Sequence, residues 1–363
     1  MPVSLSILIG FRNRDVERVY RALESLEAQS VEDFELVFVD YGSEQNIAEQ
    51  VKALMSKYSF ARYHYSQSEG WLWNRAHAIN TGYKLSIGKK ILISDIDILY
   101  PPEFIKTILE LDVDATFYTF GCYYLPKDFN YSALNMTAQQ FSFAEFHGMG
   151  LTLAKGSHFF NISGYDEFYM IWGAEDDDLT TRLKKIPLER IHLPLQEFPL
   201  FHQWHITHSP AKPTFWYLTM VNYLFSQSSN RNSSTDWGTG LTPENRPILN
   251  LIQDDSKLTN LPRLQFWEDQ LLLFFNPLIQ KFYQLKSGES AYIEYEFDLP
   301  EGDESFIKKI FKSRDAVKRN SDKMDKRSIV NFLEYFIGTN RFGFLDYYLK
   351  ISDKKLLFVV IKK

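Results

Sequence analysis

The chain has 363 residues, 45% hydrophobic and 24% charged, so it can bury a substantial core and is neither fibrous nor disordered. Its net charge is −6 and it has no long basic run, which argues against a nucleic-acid-binding protein. The single cysteine, Cys122, excludes an intramolecular disulfide and a cysteine-based zinc site. A reducing compartment fits best, so we expect a cytoplasmic protein of one large domain or two domains.

The apolar stretches of the sequence are short. Met1 to Ser4 leads directly into an apolar strand, without the basic and apolar regions of a signal peptide. No uninterrupted run of roughly 18 apolar residues occurs in the sequence. We therefore expect neither a signal peptide nor a transmembrane helix.

The first 110 residues alternate between strand and helix patterns. Strands are predicted at Leu5–Gly10, Phe34–Asp40, Ala61–Tyr65 and Lys90–Ser94, and helices at Val16–Gln29, Ile47–Tyr58 and Asn74–Leu85. This alternation predicts an α/β fold with a mostly parallel sheet. Such sheets bind ligands at the carboxyl ends of their strands, where the strand order reverses. Polar residues directly after the strands are expected at this edge: Arg12, Asn13, Asp40, Asp95 and Asp97.

The remainder of the chain has fewer regular patterns. Residues 226–240 are rich in Ser, Asn, Thr and Gly, which indicates a loop or linker. Beyond them we predict helices at Leu261–Tyr283 and Ser305–Arg319 and strands at Ala291–Phe297 and Lys355–Lys363. The last 120 or so residues contain no recognisable motif.

Two carboxylates, Asp95 and Asp97, follow the apolar strand Lys90–Ser94 with one residue between them. Side chains two residues apart point the same way from an extended strand, so both can approach one divalent cation. Oxygen ligands suit Mg²⁺ or Mn²⁺. A turn before Pro101 and Pro102 explains the motif alone equally well.

Four consecutive acidic residues, Glu175–Asp178, follow Trp172 closely. The partial positive charge of a helix N-terminus stabilises such a run, so an acidic helix start is one interpretation. The other interpretation is a sugar site. There Trp172 would offer its ring face to the C–H side of the sugar, and an aspartate would deprotonate a hydroxyl.

Two imidazoles, His202 and His205, are three residues apart and can converge on one metal. In isolation such a pair more often packs among aromatic residues. Together with Asp95 and Asp97 it predicts a metal site with two histidines and a carboxylate.

Arg75 lies early in a predicted helix, where its guanidinium and free backbone N–H groups could face a phosphate. A surface salt bridge is an equally good interpretation of this arginine. Asp40, after the second strand, could accept a hydrogen bond from a nucleotide base or ribose.

These motifs together resemble a known family. Leu5–Arg14, Phe34–Ser43 and Ile91–Asp97 resemble, in order and spacing, the N-terminal half of family 2 glycosyltransferases of the GT-A fold. Ser163–Glu167 and Trp172–Leu179 are similar to the C-terminal catalytic segment of β-1,4-galactosyltransferases, a segment also seen in bacterial capsule and chondroitin-type polymerases.

The resemblance covers about residues 3–208. It implies a Rossmann-like GT-A catalytic domain at residues 1–215 that binds a nucleotide-sugar. Residues 216–363 lie outside it and are expected to form an additional α+β region of unknown role.

Carried over position by position, the resemblance implies a role for each motif residue. Asp176 would be the general base, and Trp172 and Asp177 would hold the acceptor sugar. Mn²⁺ (or Mg²⁺) would be bound by Asp97, His202 and His205. The nucleotide would lie against Phe11, Arg12, Asp40, Arg75 and Asp95.

Two positions depart from the family pattern. Tyr41 stands where a second aspartate is usual, so either Asp40 or Tyr41 would contact the base. Ala174 stands where a second glycine usually precedes the glutamate, a small change beside the donor sugar.

The resemblance implies a metal-dependent inverting glycosyltransferase that moves a hexose from a UDP-sugar to a sugar acceptor. Capsule, lipopolysaccharide or another surface polysaccharide is the implied product. Two other classes stay open. Lys90–Leu99 also fits an aspartate-nucleophile phosphohydrolase, although a downstream Lys and Ser/Thr are not assigned. The second open class is a non-catalytic glycan-binding protein.

The basic amphipathic segment 305–319 has two interpretations as well. It is either a surface helix packed on its own domain or a peripheral contact with an anionic membrane.

Overall fold

The computed structural model of the chain describes residues 3–131, 142–144, 150–171, 173–206, 236–253, 257–258, 260–262, 279–297 and 326–363. These residues divide into two compact units. The first contains the described residues up to 240, apart from 69–72. The second contains 69–72 and the described residues from 241 onward. The predicted boundary near residue 215 lies outside the described residues.

The first unit alternates strands and helices in its N-terminal part. Its elements up to residue 109 are β1 (Leu5–Phe11), α1 (Val16–Glu27), β2 (Phe34–Asp40), α2 (Gln45–Met55), β3 (Ala61–Tyr65), α3 (Arg75–Leu85), β4 (Lys90–Ser94), β5 (Ile98–Leu99) and α4 (Phe104–Leu109). The later elements are β6 (Thr116–Phe120), β7 (Cys122–Tyr124), β8 (Ser142–Ala144), β9 (Thr152–Lys155), α5 (Gly156–Asn161), α6 (Glu175–Leu183), β10 (Glu189–Leu193) and β11 (Phe201–His202). The strands and helices predicted in the first 110 residues are confirmed, with ends within three residues of the prediction.

Among the described residues, seven strands form one sheet in the order β10-β6-β9-β4-β1-β2-β3. β1 pairs in parallel with β2 and β4, and β2 with β3, whereas β9 is antiparallel to both of its neighbours. The predicted mostly parallel sheet is confirmed. The strand order reverses between β1 and β4, and such a reversal opens a crevice at the carboxyl ends of the two strands.

Helices α1 and α3 begin at side-chain caps. The Asp15 carboxylate accepts a hydrogen bond from the Glu17 N–H at 3.1 Å, and α1 then buries an apolar face on the sheet side of the core. The Asn74 side chain accepts from the His77 N–H at 2.8 Å at the start of α3. This cap fixes where α3 begins, and with it the position of Arg75.

The predicted loop at 226–240 is described only from residue 236. Trp237 is buried, and its ring stacks on that of Tyr83 with centroids 5.6 Å apart. The Lys84 ammonium lies 4.0 Å from the centre of the Trp237 ring. The end of this segment is therefore packed into the first unit.

The second unit has a three-stranded antiparallel sheet among its described residues, in the order β12-β14-β13. Its elements are a 3₁₀ turn (Pro243–Asn245), α7 (Pro247–Ile252), β12 (Ser290–Glu296), α8 (Lys326–Asn340), a 3₁₀ turn (Arg341–Gly343), β13 (Phe344–Ile351) and β14 (Lys355–Lys362). The strands predicted at Ala291–Phe297 and Lys355–Lys363 are confirmed. Most of the helix predicted at Leu261–Tyr283 and all of Ser305–Arg319 lie outside the described residues. None of the helices in the described ranges is both long and apolar enough to cross a membrane.

A buried ion pair lies inside the second unit. Arg246 is fully buried, and its Nε donates to the Asp346 carboxylate at 2.8 Å while its Nη2 donates to the Glu69 carbonyl at 2.9 Å. The same Asp346 oxygen accepts from the Trp71 indole N–H at 2.9 Å. Both charges are thus compensated by hydrogen bonds, as buried charges must be.

We expect Arg246→Met to lower the free energy of unfolding by about 3–5 kcal/mol, because the Asp346 carboxylate would stay buried without its cation. Urea unfolding of the full chain measures this loss. Lys355→Met, which breaks a more exposed pair with Glu294, should cost no more than about 1 kcal/mol. Equal losses in the two variants would contradict this assignment.

Candidate active site

Polar residues gather where the strand order of the large sheet reverses. Arg12 directly follows β1, and Asp95 and Asp97 follow β4. The ends of β1 and β4 border the crevice described above. The candidate site therefore occupies the position at which this class of sheet binds its ligands.

The pairing of two short strands brings His202 to the carboxylates. β5 and β11 are antiparallel, and His202 lies opposite Ile98, the residue that follows Asp97. The Gln203 N–H also donates to the Asp97 carbonyl at 2.8 Å. This register places both histidines of the His-x-x-His motif beside Asp97.

The Asp97 carboxylate lies between the two imidazoles. Its Oδ2 is 3.1 Å from His205 Nε2, and its Oδ1 is 3.6 Å from His202 Nε2. Burial raises the pKa of Asp97, but the hydrogen bond with His205 and the charges of both imidazoles outweigh it and hold that pKa below its ordinary value. The same hydrogen bond raises the pKa of His205.

These three residues fit a divalent cation. One ligand atom from each lies within 4.8 Å of the others. Asp97 Oδ1 and His202 Nδ1 are buried and accept or donate no hydrogen bond within the described residues. A donor set of one carboxylate and two imidazoles suits a first-row divalent ion such as Mn²⁺. The structure thus brings together the three residues predicted as metal ligands.

Arg75 bridges two carboxylates. Its Nε donates to Asp95 Oδ1 at 2.9 Å and its Nη1 donates to Asp176 Oδ1 at 3.1 Å. Its Nη2 donates to the Gly150 carbonyl at 3.1 Å. Gly150 has a φ of +71°, and a Cβ there would lie 2.7 Å from Arg75 Nη2, so a side chain at this position would strain the backbone and displace the guanidinium. Burial lowers the pKa of Arg75, but the two carboxylates raise it further and the guanidinium stays charged.

Asp176 lies in the first turn of α6. The Tyr165 hydroxyl donates to its Oδ1 at 2.7 Å. Burial raises the pKa of Asp176, while the Arg75 charge and the Tyr165 hydrogen bond limit the rise. Burial and repulsion from Asp176 also raise the pKa of Glu175 to about 7. A carboxylate with a raised pKa accepts a proton more readily near neutral pH.

The backbone before α6 is left-handed at three residues. Ile171, Gly173 and Ala174 have φ values of +73°, +91° and +72°. Glycine adopts this region freely, but a residue with a Cβ pays roughly 1–2 kcal/mol there. Ala174 therefore stores backbone strain immediately before the acidic run.

The acids after Asp176 have different surroundings. Asp178 Oδ2 accepts from Arg182 Nε at 2.8 Å, and Arg182 is itself buried, so this acid anchors the helix. Asp177 is exposed. Trp172 lies outside the described residues. The acceptor-binding roles of Asp177 and Trp172 stay predictions.

The other residues expected at the nucleotide differ in exposure. Phe11 is 1% exposed, and Asp40 is fully buried. Asp40 accepts hydrogen bonds from the Ser43 N–H at 2.9 Å and from the Tyr63 hydroxyl at 2.8 Å. Arg12 is partly exposed. Phe11 and Asp40 are thus buried at the carboxyl ends of β1 and β2, and their contact with a nucleotide stays a prediction.

The sequence patterns assign no role to two residues that position Asp176, which are Tyr165 and Asn80. Asn80 accepts from the Tyr165 N–H at 2.8 Å and donates to the Tyr165 carbonyl at 2.9 Å. These two bonds hold the Tyr165 hydroxyl against Asp176. The available signal was weak, because Asn80 is an ordinary polar residue of the predicted helix, 85 residues before Tyr165.

Two family models match the chain. Residues 6–162 match glycosyl transferase family 2, and residues 131–205 match the model described as the N-terminal domain of galactosyltransferase. A curated relative, β-1,4-galactosyltransferase 4 of Homo sapiens, is 28% identical over 135 residues. That match covers 36% of this chain and 35% of the human protein, about a third of its length.

Two solved structures align with parts of the chain. The crystal structure of GalNAc-T7 with UDP, GalNAc and Mn²⁺ is 14% identical, with a TM-score of 0.45, and the alignment covers 62% of this chain and 50% of that chain. The mannosyltransferase PcManGT from Pyrobaculum calidifontis, in complex with GDP-Man and Mn²⁺, is 17% identical, with a TM-score of 0.43 and 69% of each chain covered.

Proposed function

We propose that this chain, whose residues 6–162 match the glycosyl transferase family 2 model, is a metal-dependent inverting glycosyltransferase of the GT-A type. It moves a hexose from a nucleotide-sugar, with UDP as the expected nucleotide, to the hydroxyl of a sugar acceptor.

One observation carries the proposal. Arg75 joins Asp95, two residues from the metal ligand Asp97, to the carboxylate of Asp176. A metal cluster, a buried cation and a proton acceptor thus follow one another along the crevice.

The metal cluster and the proton acceptor each have a role in a single displacement of the diphosphate from the anomeric carbon. A divalent cation held by Asp97, His202 and His205 would neutralise the charge that develops on the departing diphosphate. The acceptor oxygen attacks the anomeric carbon as the bond from that carbon to the diphosphate breaks, which inverts the configuration. The Asp176 carboxylate receives the proton of the attacking hydroxyl.

The surroundings of Asp176 direct one of its oxygens to the acceptor. Within the described residues, both hydrogen bonds to this carboxylate, from Tyr165 and Arg75, end on Oδ1. A Cβ at Gly150 would lie 3.2 Å from Oδ2, so the absence of a side chain there keeps space beside this oxygen. We therefore assign Oδ2 as the proton acceptor.

The proposal also covers the binding of the acceptor sugar and the cellular process in which the transferase acts. Trp172 and the exposed Asp177 hold the acceptor sugar. Surface polysaccharide synthesis, as of capsule or lipopolysaccharide, on the cytoplasmic side of the membrane is the expected setting, in keeping with the resemblance of Trp172–Leu179 to capsule polymerases. A peripheral membrane contact through 305–319 belongs to the same proposal.

A thermal-shift screen of nucleotides and nucleotide-sugars tests the proposal. A ligand that binds only the folded state at about 100 times its Kd stabilises it by about 2.7 kcal/mol. We expect UDP and a UDP-hexose to raise the melting temperature with Mn²⁺ present and not with EDTA. Hydrolysis of the same UDP-hexose should exceed hydrolysis of a chromogenic phosphate ester, which separates the transferase from the phosphohydrolase alternative. No metal-dependent shift with any nucleotide-sugar would overturn the proposal.

A further inference from the structure

A recess of about 570 Å³ adjoins the metal cluster. Its lining comes from three segments and consists of Asn13, Arg14, Asp15, Arg18, Arg21, Lys127, Phe129, Tyr131, Trp204, His205 and Ile206. His205, one of the predicted metal ligands, belongs to that lining. Its volume falls within the range of small-molecule binding sites. The recess therefore offers binding space directly beyond the metal cluster.

The recess is rich in positive charge. Arg14, Arg18 and Arg21, spaced four and three residues apart, face it together with Lys127. The Asp15 carboxylate also lines it, and Arg21 makes an exposed ion pair with Glu17 at 3.4 Å. Arg14 and Arg18 make no direct ion pair within the described part of the chain. Burial and repulsion from Arg18 lower the pKa of Arg14, and the charges of Asp97 in the metal cluster and of Asp95 partly oppose this shift. Four cations against the Asp15 carboxylate leave the lining positively charged in a chain with a net charge of −6, which indicates a site for an anion.

Aromatic rings are interleaved with these cations. The Trp204 side chain is 40% exposed, and the Lys127 ammonium lies 5.3 Å from the centre of its ring. The Arg21 guanidinium lies 4.0 Å from the centre of the Tyr131 ring. Such contacts hold the cations in place at the wall. The exposed ring of Trp204 is left to cover the apolar face of a ligand.

We infer that this recess binds a negatively charged stretch of the acceptor glycan, an inference that rests on the proposed transferase function. Carboxylate, sulfate or phosphate groups of the glycan pair with Arg18, Arg21 and Lys127. A sugar ring stacks on Trp204. Guanidinium groups suit this task because their paired N–H donors match the geometry of carboxylate and phosphate oxygens.

The shape of the surface favours a glycan over a membrane. The cations line a concave volume, which a flexible acidic chain can enter. A flat bilayer surface would instead contact residues that protrude. The 71%-exposed Ile206, the 40%-exposed Trp204 and the cations are features that a contact with an anionic membrane would also use, so vesicles belong in the test.

A pair of probes that share one sugar backbone and differ in charge tests the inference on the full chain. Binding of a short oligogalacturonate and of its methyl ester is measured by calorimetry in EDTA, which prevents metal ions from bridging the uronates. We expect the charged form to bind at least about tenfold more tightly at about 50 mM salt, with a smaller difference at about 300 mM salt because salt screens charge.

A second basic recess provides the matched control variant. It measures about 580 Å³ and is lined by Lys84, Lys89 and Lys155 in the same unit. Changing these three residues to Gln should leave oligogalacturonate binding unchanged. Arg18→Gln, Arg21→Gln and Lys127→Gln, combined in one variant, should abolish the preference for the charged form. Mn²⁺-dependent UDP binding should persist in both triple variants and shows that they are folded.

Three results would overturn the inference: equal or absent binding of the two probes, equal loss in both triple variants, or binding of anionic phospholipid vesicles through these residues without oligosaccharide binding. The outcome is separate from that of the proposed function. Absent metal-dependent UDP binding in the wild type removes the transferase proposal, whereas charge-selective glycan binding tests the recess alone.

Discussion

Asp176→Asn should lower the rate constant of sugar transfer by about 10²–10⁴-fold, the usual contribution of a positioned general base. Asparagine keeps the shape of the side chain and an oxygen that can accept from Tyr165 and Arg75. It cannot take up the proton of the acceptor hydroxyl. Mn²⁺-dependent UDP affinity should stay near the wild-type value, because Asp176 is not part of the cluster of Asp97, His202 and His205. Single-turnover transfer and calorimetric UDP binding measure the two effects.

The same substitution one residue later is the matched control. Asp177→Asn changes an exposed carboxylate and should raise the acceptor KM with little change in kcat. The wild-type rate should also fall as the pH drops through the raised pKa values of Asp176 and Glu175, because a protonated carboxyl cannot accept the proton. Near-normal turnover by Asp176→Asn would assign the base to another residue of the acidic run. Loss of UDP binding would show that Asp176 serves the donor site or the fold.

The strands of the large sheet that carry the site could be predicted because each is a short apolar run that ends at a polar residue. All seven residues of Phe34–Asp40 are buried, and the polar turn begins directly after it. A strand buried on both faces shows this continuous pattern in its own composition. Asp95 and Asp97 were placed at the carboxyl edge for the same reason.

Contacts across the site could not be predicted in this way. Arg75 and Asp176 are 101 residues apart, and nothing in either local sequence indicates the other. The strands that bring His202 to Asp97 have two residues each, Ile98–Leu99 and Phe201–His202, too few to show a periodic pattern. The spacing of the histidines suggested their chemistry, but tertiary packing selects the strand pairing that orients them.

His205→Ala should remove most of the metal-dependent part of the UDP affinity, with a loss of at least about tenfold, since even outer-shell partners of a metal are worth that much. His205 Nε2 lies 3.1 Å from Asp97 Oδ2, and alanine leaves only two residues of the cluster. The readout is the ratio of UDP affinities with Mn²⁺ and with EDTA, each measured by calorimetry.

His158→Ala is the control for His205→Ala, because it removes an imidazole of the same unit outside the cluster. The His158 Nε2 contacts the backbone carbonyls of Val113 and Asp114 at 3.1 and 2.9 Å, so its loss should affect stability and leave the affinity ratio unchanged. A fall in the folded fraction reduces the number of binding sites and does not alter this ratio. A wild-type ratio near one would contradict metal-dependent donor binding altogether. An unchanged ratio in His205→Ala would instead leave Asp97 and His202 as ligands and place the third ligand on another residue.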